Sequence, residues 1–125
     1  MKPTPAELII LKHLWIAQPQ SLREIHTAIE VQLEWSRSST RKTVDRMLGK
    51  GMLRAEKVHG LLVYSAVVKK IPMLASMISN FAADVLGIDG PLPVTNLVKS
   101  KLLNKQELKE LDEYLKIIDQ SEDVD

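Results

Sequence analysis

Trp35-Ser36-Arg37-Ser38-Ser39-Thr40-Arg41-Lys42-Thr43-Val44-Asp45-Arg46-Met47-Leu48-Gly49-Lys50-Gly51 reads as a short helix between two breaks, and it opens into two extended runs that reach Lys70. Thr40, Val44, Met47 and Leu48 recur at helical spacing on one side. Ser38, Ser39, Arg41, Lys42, Asp45, Arg46 and Gly49 fall on the other. Between Trp35 and Lys70, nine lysines and arginines face two acids, a local net charge of +7 in a chain whose total is +1. Residues 1–34 sum to −1 and residues 71–125 to −5. A basic face this concentrated points to a polyanion, because nucleic-acid affinity is largely the neutralisation of phosphates.

The residue types on the polar side have the chemistry of a recognition helix. Hydroxyl side chains at a helix start donate to phosphates beside free backbone N–H groups, and arginine or lysine one turn on reaches guanine edges or neighbouring phosphates. Candidate contacts to double-stranded DNA are therefore Arg37, Ser38, Ser39, Arg41, Lys42, Asp45 and Arg46, with Lys50, Arg54 and Lys57 holding the backbone. The competing reading is a solvated basic surface on an ordinary helix. Continuation of the positive charge into the segment after Gly51 favours DNA.

Working outward, Thr4-Pro5-Ala6-Glu7 combines a cap residue, proline in the first helical position and glutamate three after the cap, which predicts a helix start. Leu8, Leu11 and Trp15 give that helix an apolar face, and Gln18-Pro19-Gln20 ends it. Ser21 to Glu24 repeats the pattern ahead of Leu22, Ile25, Ile29 and Leu33. Met52 to Val58 and Leu61 to Val67 around His59-Gly60 predict a β-hairpin. Three helices followed by a hairpin is a winged helix-turn-helix order, so the fold class is mainly α with a small β-hairpin wing, over residues 1–70.

Residues 71–125 read as a helical dimerisation region with an acidic tail from Asp119. Ile71, Leu74, Ile78, Phe81 and Val85 step by 3, 4, 3 and 4, and Leu108, Leu111, Leu115 and Ile118 step by 3, 4 and 3, the narrow seams of helices that pack on helices. Gly87 to Pro93 interrupts the first, a shorter helix is expected over Val94 to Leu103, and Asn104 with Glu107 makes a third capping pattern. A winged helix closes its own core, so the seams predict a homodimer through Ile71, Leu74, Ile78, Phe81, Leu108, Leu111, Leu115 and Ile118.

Composition narrows the function classes. At 125 residues the chain suits one domain with an appendage. It has no run of about eighteen apolar residues, and its start does not read as a signal peptide, so a cytoplasmic protein without membrane contact is expected. With no cysteine, disulfides and thiolate metal sites are excluded. His13, His26 and His59 share no ligand spacing, no glycine-rich phosphate loop occurs, and no serine has a placed histidine and carboxylate. Neither enzyme chemistry nor a cofactor is expected. The alternative from another class is a winged-helix module that binds protein rather than DNA; an apolar or acidic third helix would favour it.

Thr4-Pro5-Ala6-Glu7-Leu8, Leu14-Trp15, Arg23-Glu24-Ile25, Trp35-Ser36, Arg46 with Leu48, Lys50-Gly51 and Val63-Tyr64, in this order and spacing, resemble the penicillinase and methicillin-resistance repressors, the BlaI/MecI type with its copper-responsive relatives. The resemblance covers nearly the whole chain. It implies a dimeric winged-helix repressor whose N-terminal domain binds an operator palindrome and whose C-terminal helices form the dimer. Two departures stand out. Ser39-Thr40-Arg41-Lys42 replaces the Thr-Val-x-Thr run common at the start of the family's recognition helix, which leaves the operator sequence open, and the cysteine pairs of copper-responsive relatives are missing, which argues against metal induction. The resemblance also implies induction by a sensor protease that cuts after an asparagine. A gapless count from Tyr64 puts Asn96-Leu97 at that place, with leucine where the family commonly has phenylalanine, while the chain's one Asn-Phe pair is Asn80-Phe81. A constitutive repressor that takes no ligand is the other reading.

Overall fold

The first three helices each begin where the chain offers a side-chain oxygen to its own free amides. The computed structural model describes the backbone of residues 2–122 and the side chains of residues 2–118. Helix α1 (Pro5–Ile16) starts on Thr4, whose Oγ1 accepts from the Glu7 N–H at 3.2 Å while Glu7 Oε1 accepts from the Thr4 N–H at 2.9 Å. Ser21 and Glu24 make the same reciprocal pair at the start of α2 (Leu22–Leu33), at 3.2 and 3.0 Å. Helix α3 (Arg37–Gly49) is capped by Ser36, whose Oγ accepts from the Ser39 N–H at 3.2 Å. Each such cap contributes about 1 kcal/mol.

The end of α3 is set by Gly51. Its φ of 78° is left-handed, and around it the Gly51 N–H donates to Leu48 O at 3.1 Å and the Met52 N–H to Met47 O at 3.0 Å. These are the two closing bonds of a Schellman turn, with Met47 and Met52 forming the apolar contact beneath it. The chain then enters β2 (Leu53–Val58) and returns as β3 (Leu61–Ala66), paired antiparallel from Leu53↔Ala66 to Val58↔Leu61. His59 and Gly60 both have positive φ, 52° and 80°, the mirror-image turn whose twist matches a two-residue hairpin. A strand the sequence did not reveal completes the sheet: β1 (Gln20–Ser21) pairs with β3, giving the order β1-β3-β2.

Ile10, Leu11, Leu14, Ile25, Ile29, Val44, Met47, Met52, Leu53 and Tyr64 form the core beneath these elements. Burial of a large apolar side chain contributes roughly 1.5–3 kcal/mol. Two polar ties fasten the end of α1 to the end of the wing: Trp15 Nε1–H donates to Val68 O at 3.1 Å, and the Ala66 N–H donates to Gln18 Oε1 at 2.8 Å.

The chain divides into two compact units, Met1–Lys69 and Lys70–Asp125. In the second, α4 (Lys70–Asp84) and α5 (Lys105–Glu122) pack together, the latter started by an Asn104–Glu107 capping pair at 2.8 and 3.1 Å. Their shared core is Ala75, Val94, Leu111 and Leu115, flanked by Ile71, Leu74, Ile78, Leu103 and Ile118.

Two expectations change here. The helix expected over Val94 to Leu103 is absent. That stretch runs as turns closed by Leu97 N–H to Val94 O at 3.0 Å and Ser100 N–H to Leu97 O at 3.2 Å, with Ser100 Oγ accepting from the Leu102 and Leu103 N–H groups. Val94, Thr95 and Val98 are β-branched, Ser100 competes for the backbone, and only Val94 is buried, so no apolar face rewards a helix there. The seams, expected from sequence to pair with a second copy, are largely occupied within one protomer: Leu108, Leu111 and Leu115 are buried, and Ile71, Leu74, Ile78 and Ile118 are half-buried. Of the eight, only Phe81 is mainly exposed, at 51%. A 3–4 spacing signals that a helix packs on a helix and is silent on whether the partner belongs to the same chain. The acidic tail from Asp119 lies outside the described side chains.

No helix among the described residues is long and apolar enough to cross a membrane.

Candidate nucleic-acid interface

Helix α3 presents its basic side to solvent because its other side packs on α2 and β2 in the first core. Thr40, Thr43, Val44 and Met47 are buried. Thr40 Oγ1 meets the buried His26 Nδ1 of α2 at 2.7 Å, and His26 Nε2 lies 3.2 Å from Glu30. His26 is thus a core histidine that ties α2 to α3, with its place explained by packing rather than by ligand chemistry.

The far end of α3 is held by Glu7, the residue that also completes the α1 capping box. Its side chain is fully buried, and both oxygens accept from Lys50 Nζ, at 3.0 and 2.9 Å. Burial pushes the Glu7 carboxyl up, but the Thr4 N–H and the Lys50 ammonium outweigh it and hold the group below the usual glutamate range. The one carboxylate therefore caps α1 and anchors the residue that ends α3. The signal was out of reach in sequence, since Glu7 and Lys50 are forty-three residues apart. Lys50, expected to hold the DNA backbone, is about a third exposed and has its ammonium paired with Glu7.

Arg37, Ser38, Arg41, Lys42, Asp45 and Arg46 are all exposed. Among the described residues none of these five charges has an ion-pair partner. Ser39 is half-buried, and its N–H and Oγ are turned to Ser36, 3.2 Å away in each case, which draws it into the cap. On the wing, Arg54 and Lys57 are exposed, but the register puts Lys57 with Ala55 and Leu53 on the pleat face of Leu62 and Tyr64, and Arg54 on the opposite face. The two wing cations expected together from the sequence therefore stand on different faces of the hairpin. Between the start of α2, α3 and β3 lies a cleft lined by Arg37, Arg41 and a third arginine, Arg23. Exposed, unpaired guanidinium groups on a helix held rigidly from behind can donate to phosphate and to base edges.

A family model described as penicillinase repressor matches residues 3–117. The chain belongs to the penicillinase repressor family. A search of the curated proteins gives no match. Members of this family are transcriptional repressors rather than enzymes. Among the described residues of this penicillinase repressor family member, no group of three histidine or acidic side chains is placed to hold a metal ion.

Proposed function

We propose that this penicillinase repressor family member is a cytoplasmic, homodimeric repressor of transcription that places α3 in the major groove of each half of a palindromic operator. The observation that carries the reading is the exposed, unpaired basic face of α3 on a helix whose two ends are fixed by His26–Thr40 and Glu7–Lys50. Arg41, Lys42, Asp45 and Arg46 read base edges and adjacent phosphates, and Lys57 of the wing holds the flanking backbone. Fluorescence anisotropy with duplexes drawn from the region upstream of its own gene, repeated over a salt series, tests this. Tight binding to one such duplex with a steep salt slope is expected, and equal weak binding to every duplex would overturn sequence-specific repression.

The dimer draws support from exposed apolar side chains of the second unit: Phe81, Val85, Leu86, Leu97, Val98 and Ile117 are each at least half exposed. A second copy is the occupant the family implies, and pairing two half-sites raises affinity through effective concentration. Induction by a sensor protease is proposed at Asn96-Leu97. Both residues are exposed in a turn segment, whereas Asn80-Phe81 lies within the hydrogen-bonded α4, where a protease must first unwind a helix. Fragment masses after induction distinguish the two bonds.

A further inference from the structure

A cleft of about 420 Å3 opens between the start of α2, the first turns of α3 and β3. Arg23 stands on the α2 wall, Arg37 and Arg41 on the α3 wall, and Leu61, Leu62 and Tyr64 on the strand side. All three arginines are exposed, and among the described residues none has an ion-pair partner. Glu24, the acid next to Arg23, is folded back on the Ser21 N–H at 3.0 Å, where it serves the cap. Three like charges around one opening raise a positive potential that an anion relieves, and guanidinium forks match the oxygens of a phosphate.

The surroundings select among anions. Arg37 and Arg41 are one helical turn apart on α3, so the cleft continues the basic face that carries Lys42 and Arg46. Leu61 and Leu62, 56% and 42% exposed, add apolar surface beside the charges. An alternation of charge and apolar surface along an open trough fits a strand of linked phosphates and deoxyriboses better than a compact metabolite.

We propose that this cleft seats a phosphodiester of the DNA strand bordering the groove that α3 enters, and that Arg23 is the contact on its α2 wall. The proposal rests on the DNA-binding reading above and adds to it a residue outside α3 and the wing. Arg23 positions the protein on the backbone and reads no base.

The test uses the full-length protein, a duplex selected from a randomised library, and a duplex of unrelated sequence, each titrated over a salt series. Arg23→Ala weakens both duplexes by a similar factor, on the order of tenfold at moderate salt, and lowers the salt slope by about one per protomer bound. Arg23→Lys restores the slope. Lys12→Ala, which removes the same charge from the α1–α2 face away from the cleft, leaves the slope unchanged. The proposal is overturned if Arg23→Ala binds like the parent, if Lys12→Ala loses as much, since the effect is then one of net charge, or if the loss is confined to the selected duplex, since Arg23 then reads sequence. Failure of the parent protein to bind any duplex overturns the repressor reading itself.

Discussion

The two units of this chain bury apolar surface to different degrees. In residues 2–69 the cluster from Ile10 to Tyr64 is built from large side chains at or near zero exposure, and each helix starts on a side-chain cap. In the second unit Ala75, Val94, Leu108, Leu111 and Leu115 are closed, while Phe81, Val85, Leu86, Leu97, Val98 and Ile117 are at least half exposed, as are Ile16, Val31, Leu61 and Val67 in the first. The first unit fixes α3 through its core, the Ser36 cap, His26–Thr40 and Glu7–Lys50. The exposed apolar side chains of the second unit are the surface that the proposed second copy would cover.

The strongest way to break this comparison is to separate the units. A chain ending at Lys70 is expected to melt cooperatively as a monomer, because the first core is complete. It should bind an operator at least about a hundredfold more weakly, because the second half-site is no longer linked. Phe81→Asp with Ile117→Asp in the full chain should give the same loss of affinity and a monomer by sedimentation. A truncated chain that is unfolded, or one that still sediments as a dimer, removes the contrast between the units.

How far the sequence foretold each unit follows from the range of the interactions that build it. The caps at Thr4, Ser21 and Asn104, the stop at Gly51 and the His59-Gly60 turn are settled within three or four residues, so their patterns are visible in a linear string. The exposed side of α3 follows from its period alone. What was hidden is long-range. Glu7 meets Lys50, Gln18 reaches Ala66, and β1 is two residues long with no alternation to detect. In sequence Arg23 stands only within the Arg23-Glu24-Ile25 stretch of the family resemblance, and the fold brings it opposite Arg37 and Arg41. In the second unit the apolar steps were right as helix faces and uninformative about the partner, and the run from Val94 to Leu103 had apolar residues without burial to use them.

A sharper comparison sets the clasp of one unit against that of the other. Glu7→Gln leaves Lys50 without its counter-charge beside a fully buried side chain, and a loss of about 2–3 kcal/mol is expected in the first transition of a denaturant melt. Glu7 is held below its ordinary pKa. Its stabilisation is therefore fully present above the unfolded glutamate value and is lost as pH falls through the lower folded value. The parent should lose stability on acidification in that window, and Glu7→Gln should lose less.

Within the first unit, function and stability separate by face. Arg41→Ala or Lys42→Ala should cost about 1–3 kcal/mol on a selected operator and leave the melting temperature unchanged, since both side chains are exposed and unpaired. Parent-like operator binding by both variants would remove α3 from the base-reading role. Gly51→Ala should do the opposite. A Cβ meets nothing there, so only the φ of 78° resists it, and a loss of about 1–2 kcal/mol in stability with unchanged sequence preference is expected.

The smallest effect is expected at the second clasp. Lys70 Nζ lies 2.8 Å from Glu107 and donates to Leu102 O at 2.6 Å, joining the first residue of α4 to the start of α5 and to the turn segment before it. The hydrogen bond from Lys70 is the main cause that holds Glu107 below the usual glutamate range; partial burial opposes it, and the Asn104 N–H adds to it. Glu107 keeps a quarter of its exposure where Glu7 keeps none, so water screens the Glu107 carboxylate more than it screens that of Glu7. Glu107→Gln should cost about 0.5–1 kcal/mol. The sign with pH is the same as for Glu7, since the folded pKa is again depressed: the contribution is complete above the unfolded glutamate value and disappears as acid protonates Glu107. Hydrogen exchange of the α5 amides, followed from neutral pH into that acid window, isolates the effect from the first unit. Faster exchange in the parent on acidification, with a smaller change in Glu107→Gln, is the expected result. Exchange that is equally fast in both proteins at neutral pH would show that α5 is held by Leu111 and Leu115 alone.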